Sequence, residues 1–106
     1  MINSAVEQDI AFYMPQDKAI SKMADFFQLF SDKTRVKLLC VLSIAKLCVT
    51  DIADILKMNQ TTISHQLKIL RSANVVEFER VGKIIYYTIA NDKINDILLL
   101  GVESSN

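Results

Sequence analysis

The spacing of apolar residues changes at Asn74, and this change limits the folds that the chain can adopt. Before Asn74, apolar residues recur every three or four positions, which is typical of amphipathic helices. After it, Val76 and Phe78 alternate with charged residues, and residues 84–89 are rich in β-branched and aromatic types, as strands are. Residues 81–83 (Val-Gly-Lys) lie between these stretches and predict a turn. The sequence therefore predicts a set of helices followed by a two-stranded hairpin.

We expect four helices before the hairpin and one after it, beginning at residues 91–92. Polar residues whose side-chain oxygens can accept from free backbone N–H groups mark the first four starts. The predicted N-caps are Asp17, Ser31, Thr50 and Asn59. Two short helices with a tight break at 57–59, followed by a hairpin, predict a mainly α (α+β) winged helix-turn-helix fold. We expect residues 1–106 to form one such domain, with flexible ends at 1–15 and 103–106.

The fourth predicted helix, from Gln60 to about Ala73, has two sides of different chemistry. Ile63, Leu67 and Leu70 share the apolar side. A DNA recognition helix needs such an apolar back and a hydrogen-bonding front that enters the major groove with its N-terminus first. The residues of the cap and front that fit this role are Asn59, Gln60, Thr61, Thr62, Ser64, His65, Lys68 and Arg71. We therefore predict that this helix contacts double-stranded DNA.

The predicted hairpin has basic residues at its tip. Arg80 and Lys83 flank Gly82 and are expected to act as a wing that contacts phosphates. The net charge is zero, but residues 32–90 hold nine Lys or Arg against five Asp or Glu, and both ends are acidic. Because electrostatic attraction is local, the basic centre is compatible with nucleic acid.

Several other function classes are disfavoured by the composition. One histidine and two glycines give no catalytic triad and no phosphate-binding loop, so we expect neither an enzyme nor a bound cofactor. The longest apolar run, 38–45, is far shorter than the roughly 20 residues that cross a bilayer. The N-terminus does not resemble a signal peptide, and two cysteines give no disulfide framework, so we expect a cytoplasmic protein.

Two alternatives remain open at this level. Residues 60–71 are the solvated face of a surface helix in the simpler interpretation, with His65 an ordinary surface residue. The other alternative is a winged-helix module that binds a protein and has no specific affinity for DNA. The first and last predicted helices both have wide apolar sides, which is one apolar surface more than a monomer can bury. A two-fold homodimer would cover it.

Three blocks of the sequence resemble the ArsR/SmtB-type repressors. Residues 59–70 (NQTTISHQLKIL) resemble the family's recognition helix, residues 30–35 (FSDKTR) the loop between its first and second helices, and residues 82–87 (GKIIYY) its wing. They occur in the family's order and spacing, and the resemblance covers about residues 20–100. It implies a transcriptional repressor that forms a homodimer through its first and last helices. Such a repressor binds an imperfect palindrome and is released by an inducer.

The resemblance also implies two places where relatives bind metal, and this chain departs from both. At the start of the third helix it keeps Cys48 but has Thr50 in place of the second cysteine. On the last helix the matching positions are Asn91, Lys93 and Ser104, a poor ligand set for Zn²⁺. We therefore expect no metal site. Cys48 is a possible thiol sensor or simply a small apolar residue, Cys40 is expected in the core, and an organic inducer between subunits is the further alternative.

Overall fold

The computed structural model describes residues 1–105, which form six helices and three strands. In chain order these are α1 (Ser4–Tyr13), α2 (Asp17–Gln28), α3 (Lys33–Ile44), β1 (Leu47–Cys48), α4 (Val49–Leu56), α5 (Gln60–Ser72), β2 (Val76–Val81), β3 (Ile84–Ile89) and α6 (Asp92–Ser105). Helices α2 to α5, the β2–β3 hairpin and α6 are the predicted elements. The prediction of a mainly α chain with a small antiparallel sheet is confirmed.

Two elements, α1 and β1, were not predicted. Asn3 begins α1, where its Oδ1 accepts from the backbone N–H of Val6 at 3.0 Å, but no residue of this helix is buried. None of its apolar residues therefore contributes to the core. The expected flexible ends, 1–15 and 103–106, include α1 and the last turn of α6, and their flexibility stays a prediction. Asn106 lies outside the described residues.

Three of the four predicted N-caps are displaced by one or two residues. Gln16 precedes α2, and Cys48 precedes α4, so Asp17 and Thr50 lie inside the first turns. Asp32 caps α3, because its carboxylate accepts from the backbone N–H of Arg35 at 3.0 Å. The Ser31 hydroxyl instead donates to a carbonyl at the end of α2. These N-cap predictions were wrong, although each helix was predicted correctly.

The sheet has the order β1–β3–β2, with both strand pairs antiparallel. Gly82 and Lys83 form the two-residue turn of the hairpin, and Gly82 adopts φ +63°, a left-handed conformation that favours glycine. The core contains side chains from α3, α4, α5, β2, α6 and the residue before β2. Its members are Leu38, Leu39, Leu42, Ile52, Ala53, Ile63, Leu67, Leu70, Val75, Val76 and Ile94. The hydrophobic contacts of this core hold α5 and the hairpin to α3.

No helix within residues 1–105 combines the length and the apolar character that crossing a membrane requires.

Candidate nucleic-acid interface

Helices α4 and α5 are joined by a tight turn whose geometry comes from three residues. Lys57 ends α4 in the left-handed conformation, with φ 56° and ψ 49°. The N–H of Met58 then donates to the carbonyl of Ala53 at 3.0 Å. Asn59 begins α5, and its Oδ1 accepts from the backbone N–H of Thr62 at 2.7 Å. The predicted break at 57–59 and the predicted cap at Asn59 are both confirmed, and they give the helix-turn-helix unit.

The back of α5 is completely buried. Ile63, Leu67 and Leu70 have no exposed surface and pack against α3 and α4. The predicted front residues Thr61, Ser64, His65, Lys68 and Arg71 are exposed and follow the helical repeat. They therefore form one polar side of α5, which is free to meet another molecule.

The remaining predicted contact residues differ in their availability. Gln60 is exposed at the start of α5, where free backbone N–H groups favour an anion such as phosphate. Asn59 is exposed, but its side-chain oxygen already serves as the N-cap. Thr62 is half-buried beside the apolar back. The structure therefore brings the predicted set together on α5, with Asn59 and Thr62 at the edge of the exposed side.

The hairpin extends beyond the core and presents its basic residues to solvent. Arg80 lies opposite Ile85 in the antiparallel pairing, and Lys83 occupies the turn next to Gly82. Both basic side chains are exposed. Because the turn is two residues long and closed by antiparallel pairing, it holds them at one tip.

Two contacts that the sequence analysis missed connect the hairpin to the rest of the chain. The guanidinium carbon of Arg71 lies 3.9 Å from the ring centre of Phe78, a cation–π contact between the end of α5 and β2. Phe78 in turn lies opposite Tyr87, with ring centres 6.1 Å apart. An ion pair joins Lys46, after α3, to Glu79 on β2. The hairpin is therefore attached to α5 and to the end of α3.

The two cysteines are both half-buried and unpaired. Cys48 lies in β1 opposite Tyr86 and directly precedes α4. Cys40, predicted for the core, lines an apolar groove between α3 and α6. Nothing in these positions identifies a ligand for either thiol.

The two places at which the resemblance implies a metal site differ in the ligand-type side chains that they hold. Within residues 1–105, no three side chains of His, Cys, Asp or Glu are grouped so as to hold an ion. Near Cys48, Thr50 is exposed and offers only a hydroxyl. On α6, the Asn91 Oδ1 accepts from the backbone N–H of Lys93 at 3.0 Å and thus serves the start of the helix. These residues do not fit Zn²⁺ or Cd²⁺ in the usual coordination.

Comparisons with known proteins agree with this geometry. A family model described as "Bacterial regulatory protein, arsR family" matches residues 32–77. The transcriptional repressor SmtB homolog of Synechocystis sp. is 38% identical over 84 residues, which make up 79% of this chain and 63% of that relative. The chain therefore spans less than two thirds of the SmtB homolog. The cadmium resistance transcriptional regulatory protein CadC of Listeria innocua is 37% identical, over 81% of this chain and 80% of the relative.

A solved structure supports the winged helix-turn-helix fold. It is the NMR structure of a homodimeric winged helix-turn-helix DNA-binding domain from Mycobacterium bovis, described as a possible ArsR-family transcriptional regulator. It matches with a TM-score of 0.77 and 28% sequence identity, over 87% of each chain. The predicted fold class is thereby confirmed.

Proposed function

The chain belongs to the arsR family of bacterial regulatory proteins, and we propose that it is a dimeric, DNA-binding transcriptional repressor. In this proposal it binds a palindromic operator and is released by an inducer. The observation that carries the proposal is α5, whose apolar back is fully buried while its polar side is exposed directly after a tight turn. The names of the two relatives, a repressor and a resistance regulator, support it. A repressor acts on the chromosome, so the proposed location is the cytoplasm.

In the proposed complex, the N-terminal half of α5 enters the major groove. Gln60, Thr61, Ser64 and His65 then face base edges, since side chains at the start of a recognition helix reach deepest into the groove. At the helix start, the backbone N–H groups of Gln60 and Thr61 have no intrahelical partner and favour phosphate. Asn59 and Thr62 lie beside them, and the cap bond between these two residues uses the Thr62 N–H. The cationic side chains further along α5 and at the hairpin tip neutralise phosphates. They are Lys68, Arg71, Arg80 and Lys83.

The proposed dimer uses α2 and α6. Phe27 on α2 is 57% exposed, and Leu100 and Val102 on α6 are 61% and 52% exposed. Large apolar side chains left uncovered on the surface are typical of protein interfaces. The homodimeric state of the Mycobacterium bovis domain supports this choice of partner. A two-fold arrangement would place the two α5 helices about one DNA turn, roughly 34 Å, apart.

Selection of bound sequences from random duplex DNA tests the proposal directly. We expect a palindrome to emerge, and Ser64→Ala or His65→Ala to weaken its binding by about 1–3 kcal/mol if each side chain makes a good base contact. Lys83→Ala is the matched control, because a phosphate contact should be lost on all sequences alike and the salt dependence should flatten. Equal affinity of the wild type for selected and random DNA at moderate salt would instead favour the protein-interaction module.

We propose that the repressor is released from DNA by modification of the Cys48 thiol or by an organic ligand in the dimer interface, in preference to a metal ion. The unsuitable ligand set around Cys48 and on α6 supports this order. Treatment with a mild oxidant should then abolish binding to the selected duplex, and Cys48→Ser should resist it, with Cys40→Ser as the matched control. A stoichiometric, tightly bound Zn²⁺ or Cd²⁺ ion that releases the DNA would contradict the proposal.

A further inference from the structure

Arg35, in the first turn of α3, forms hydrogen bonds with the end of α2, with α5 and with the N-cap of its own helix. Its Nε donates to the carbonyl of Leu29 at 3.1 Å, and its Nη2 donates to the carbonyl of Gln28 at 3.3 Å. Its Nη1 donates to the Oε1 of Gln66 on α5 at 3.4 Å. Its own backbone N–H donates to Asp32, the N-cap of α3. One half-buried side chain therefore connects the end of α2 and the start of α3 to the middle of α5.

The geometry of a guanidinium makes this connection directional. The last carbonyls of a helix have no partner further along the helix, so the end of α2 offers acceptors. The Leu29 carbonyl accepts the shorter bond from Arg35, and the Gln28 carbonyl also accepts from the hydroxyl and the backbone N–H of Ser31. A guanidinium is planar, and its N–H donors point in fixed directions. When Nε and Nη2 bind the end of α2, the direction of Nη1 toward Gln66 is set as well. A movement of α2 relative to α5 must lengthen at least one of these bonds.

Gln66 holds an unusual position on the recognition helix. It is half-buried between the buried back and the exposed side of α5. Within residues 1–105, its bond to Arg35 is the one side-chain to side-chain hydrogen bond that joins α5 to another element. The tight turn at 57–59 holds α5 to α4, whereas the other contacts of α5 with α3 are hydrophobic, and hydrophobic contacts are not directional. The Arg35–Gln66 bond is therefore the directional constraint between α5 and the end of α2.

We propose that Arg35 sets the half-site spacing which the dimer accepts on DNA, because it holds α5 at a fixed position relative to α2. The inference rests on the proposed function, in which α2 forms the dimer interface and α5 reads the major groove. In a two-fold dimer, any tilt of α5 against α2 changes the distance and angle between both recognition helices. Arg35 is thus a positioning residue that acts through Gln66.

The test compares spacing discrimination in the wild type and in Gln66→Leu and Arg35→Lys. Gln66→Leu removes the acceptor at similar size, and Arg35→Lys keeps the charge but removes the planar fork. Lys37→Gln is the control, since Lys37 is an exposed residue of α3 without a hydrogen bond to α5. The probes are the palindromic duplex from the selection above and two duplexes with one base pair inserted or deleted at its centre. Fluorescence anisotropy gives the ratio of affinities between them.

We expect Gln66→Leu and Arg35→Lys to lower this ratio by about fivefold, the size of one ordinary hydrogen bond in a protein, while Lys37→Gln retains it. If the two residues had only a structural role, the variants would bind all three duplexes more weakly by the same factor. An unchanged ratio of affinities in Gln66→Leu would overturn this inference and leave the proposed function standing. If the wild type itself shows no preference for the selected duplex over random DNA, the proposed function and this inference both fail.

Discussion

Helix α5 buries its apolar side within the chain, whereas α2 and α6 leave large apolar side chains exposed. On α5, the three apolar residues of the back are all completely buried within the chain. On α2, Phe26 packs against the core, as does Phe30 just after the helix, but Phe27 remains 57% exposed. The apolar back of α5 is therefore buried entirely within one chain, whereas the apolar side of α2 is only partly covered.

The overall shape shows the same contrast. The radius of gyration is 18.0 Å, against about 13 Å for a compact chain of this length. The principal extents of 61 × 30 × 22 Å describe an elongated molecule, and α1 buries none of its residues. The back of α5 is covered within one chain, whereas Phe27 on α2 and Leu100 on α6 stay exposed. Under the proposed function, a second copy covers them.

The largest expected effect comes from charging the exposed side of α2. Phe27→Glu places a carboxylate where the second copy should pack, and a buried unpaired charge is strongly unfavourable. We expect a monomer in light scattering and an affinity for the selected duplex that falls toward the non-specific level, about 10³-fold or more. Ser21→Glu, at an exposed position about 120° around α2 from Phe27, should leave the dimer intact. A dimeric Phe27→Glu variant with normal DNA binding would contradict the role given to α2.

The second-largest effect is expected at the buried back of α5. Leu67→Ala removes a fully buried side chain from the back of α5 and leaves a cavity. It should lower the free energy of unfolding by about 2–5 kcal/mol, measured by urea titration. Leu100→Ala, at an exposed position of α6, should cost far less in a monomeric Phe27→Glu background. Equal losses at the two positions would show that the difference in burial does not describe the folded chain.

The sequence predicted the parts of the fold that depend on local patterns. The apolar repeat of α5 and the cap at Asn59 involve residues within a few turns of one another, so both were found. The choice between Ser31 and Asp32 as N-cap was missed, because both are good caps and the end of α2 decides between them. Helix α1 was missed because it has no buried side to leave a periodic signal.

In the candidate site, too, the sequence predicted the features that depend on local patterns. The exposed residues of α5 and the basic hairpin tip follow from alternation and turn chemistry. The contacts that hold them in position do not, because their partners are far apart in sequence. Arg35 and Gln66 are separated by 31 residues, and Lys46 and Glu79 by 33. No local pattern pairs such residues, since the pairing depends on how the helices pack.

A smaller effect is expected where α5 meets the hairpin. Phe78→Leu keeps an apolar side chain on β2 but removes the ring that lies under the Arg71 guanidinium. We expect affinity for the selected duplex to fall by about two- to fivefold, since an exposed cation–π contact is worth about 0.5–1 kcal/mol. In an Arg71→Gln background, the same change should have no further effect. Fully additive losses would mean that Phe78 does not act through Arg71.

The smallest effect belongs to the ion pair that joins Lys46 to Glu79. Both side chains are about half exposed, at 45% and 55%, so water and salt weaken their attraction. A double-mutant cycle with Lys46→Gln and Glu79→Gln should give a coupling of about 0.2–1 kcal/mol in the free energy of unfolding. Glu77→Gln, the same charge change on the same strand, should show no coupling to Lys46→Gln. A coupling well above this range, or one insensitive to salt, would mean that the pair holds the hairpin as firmly as the buried back holds α5.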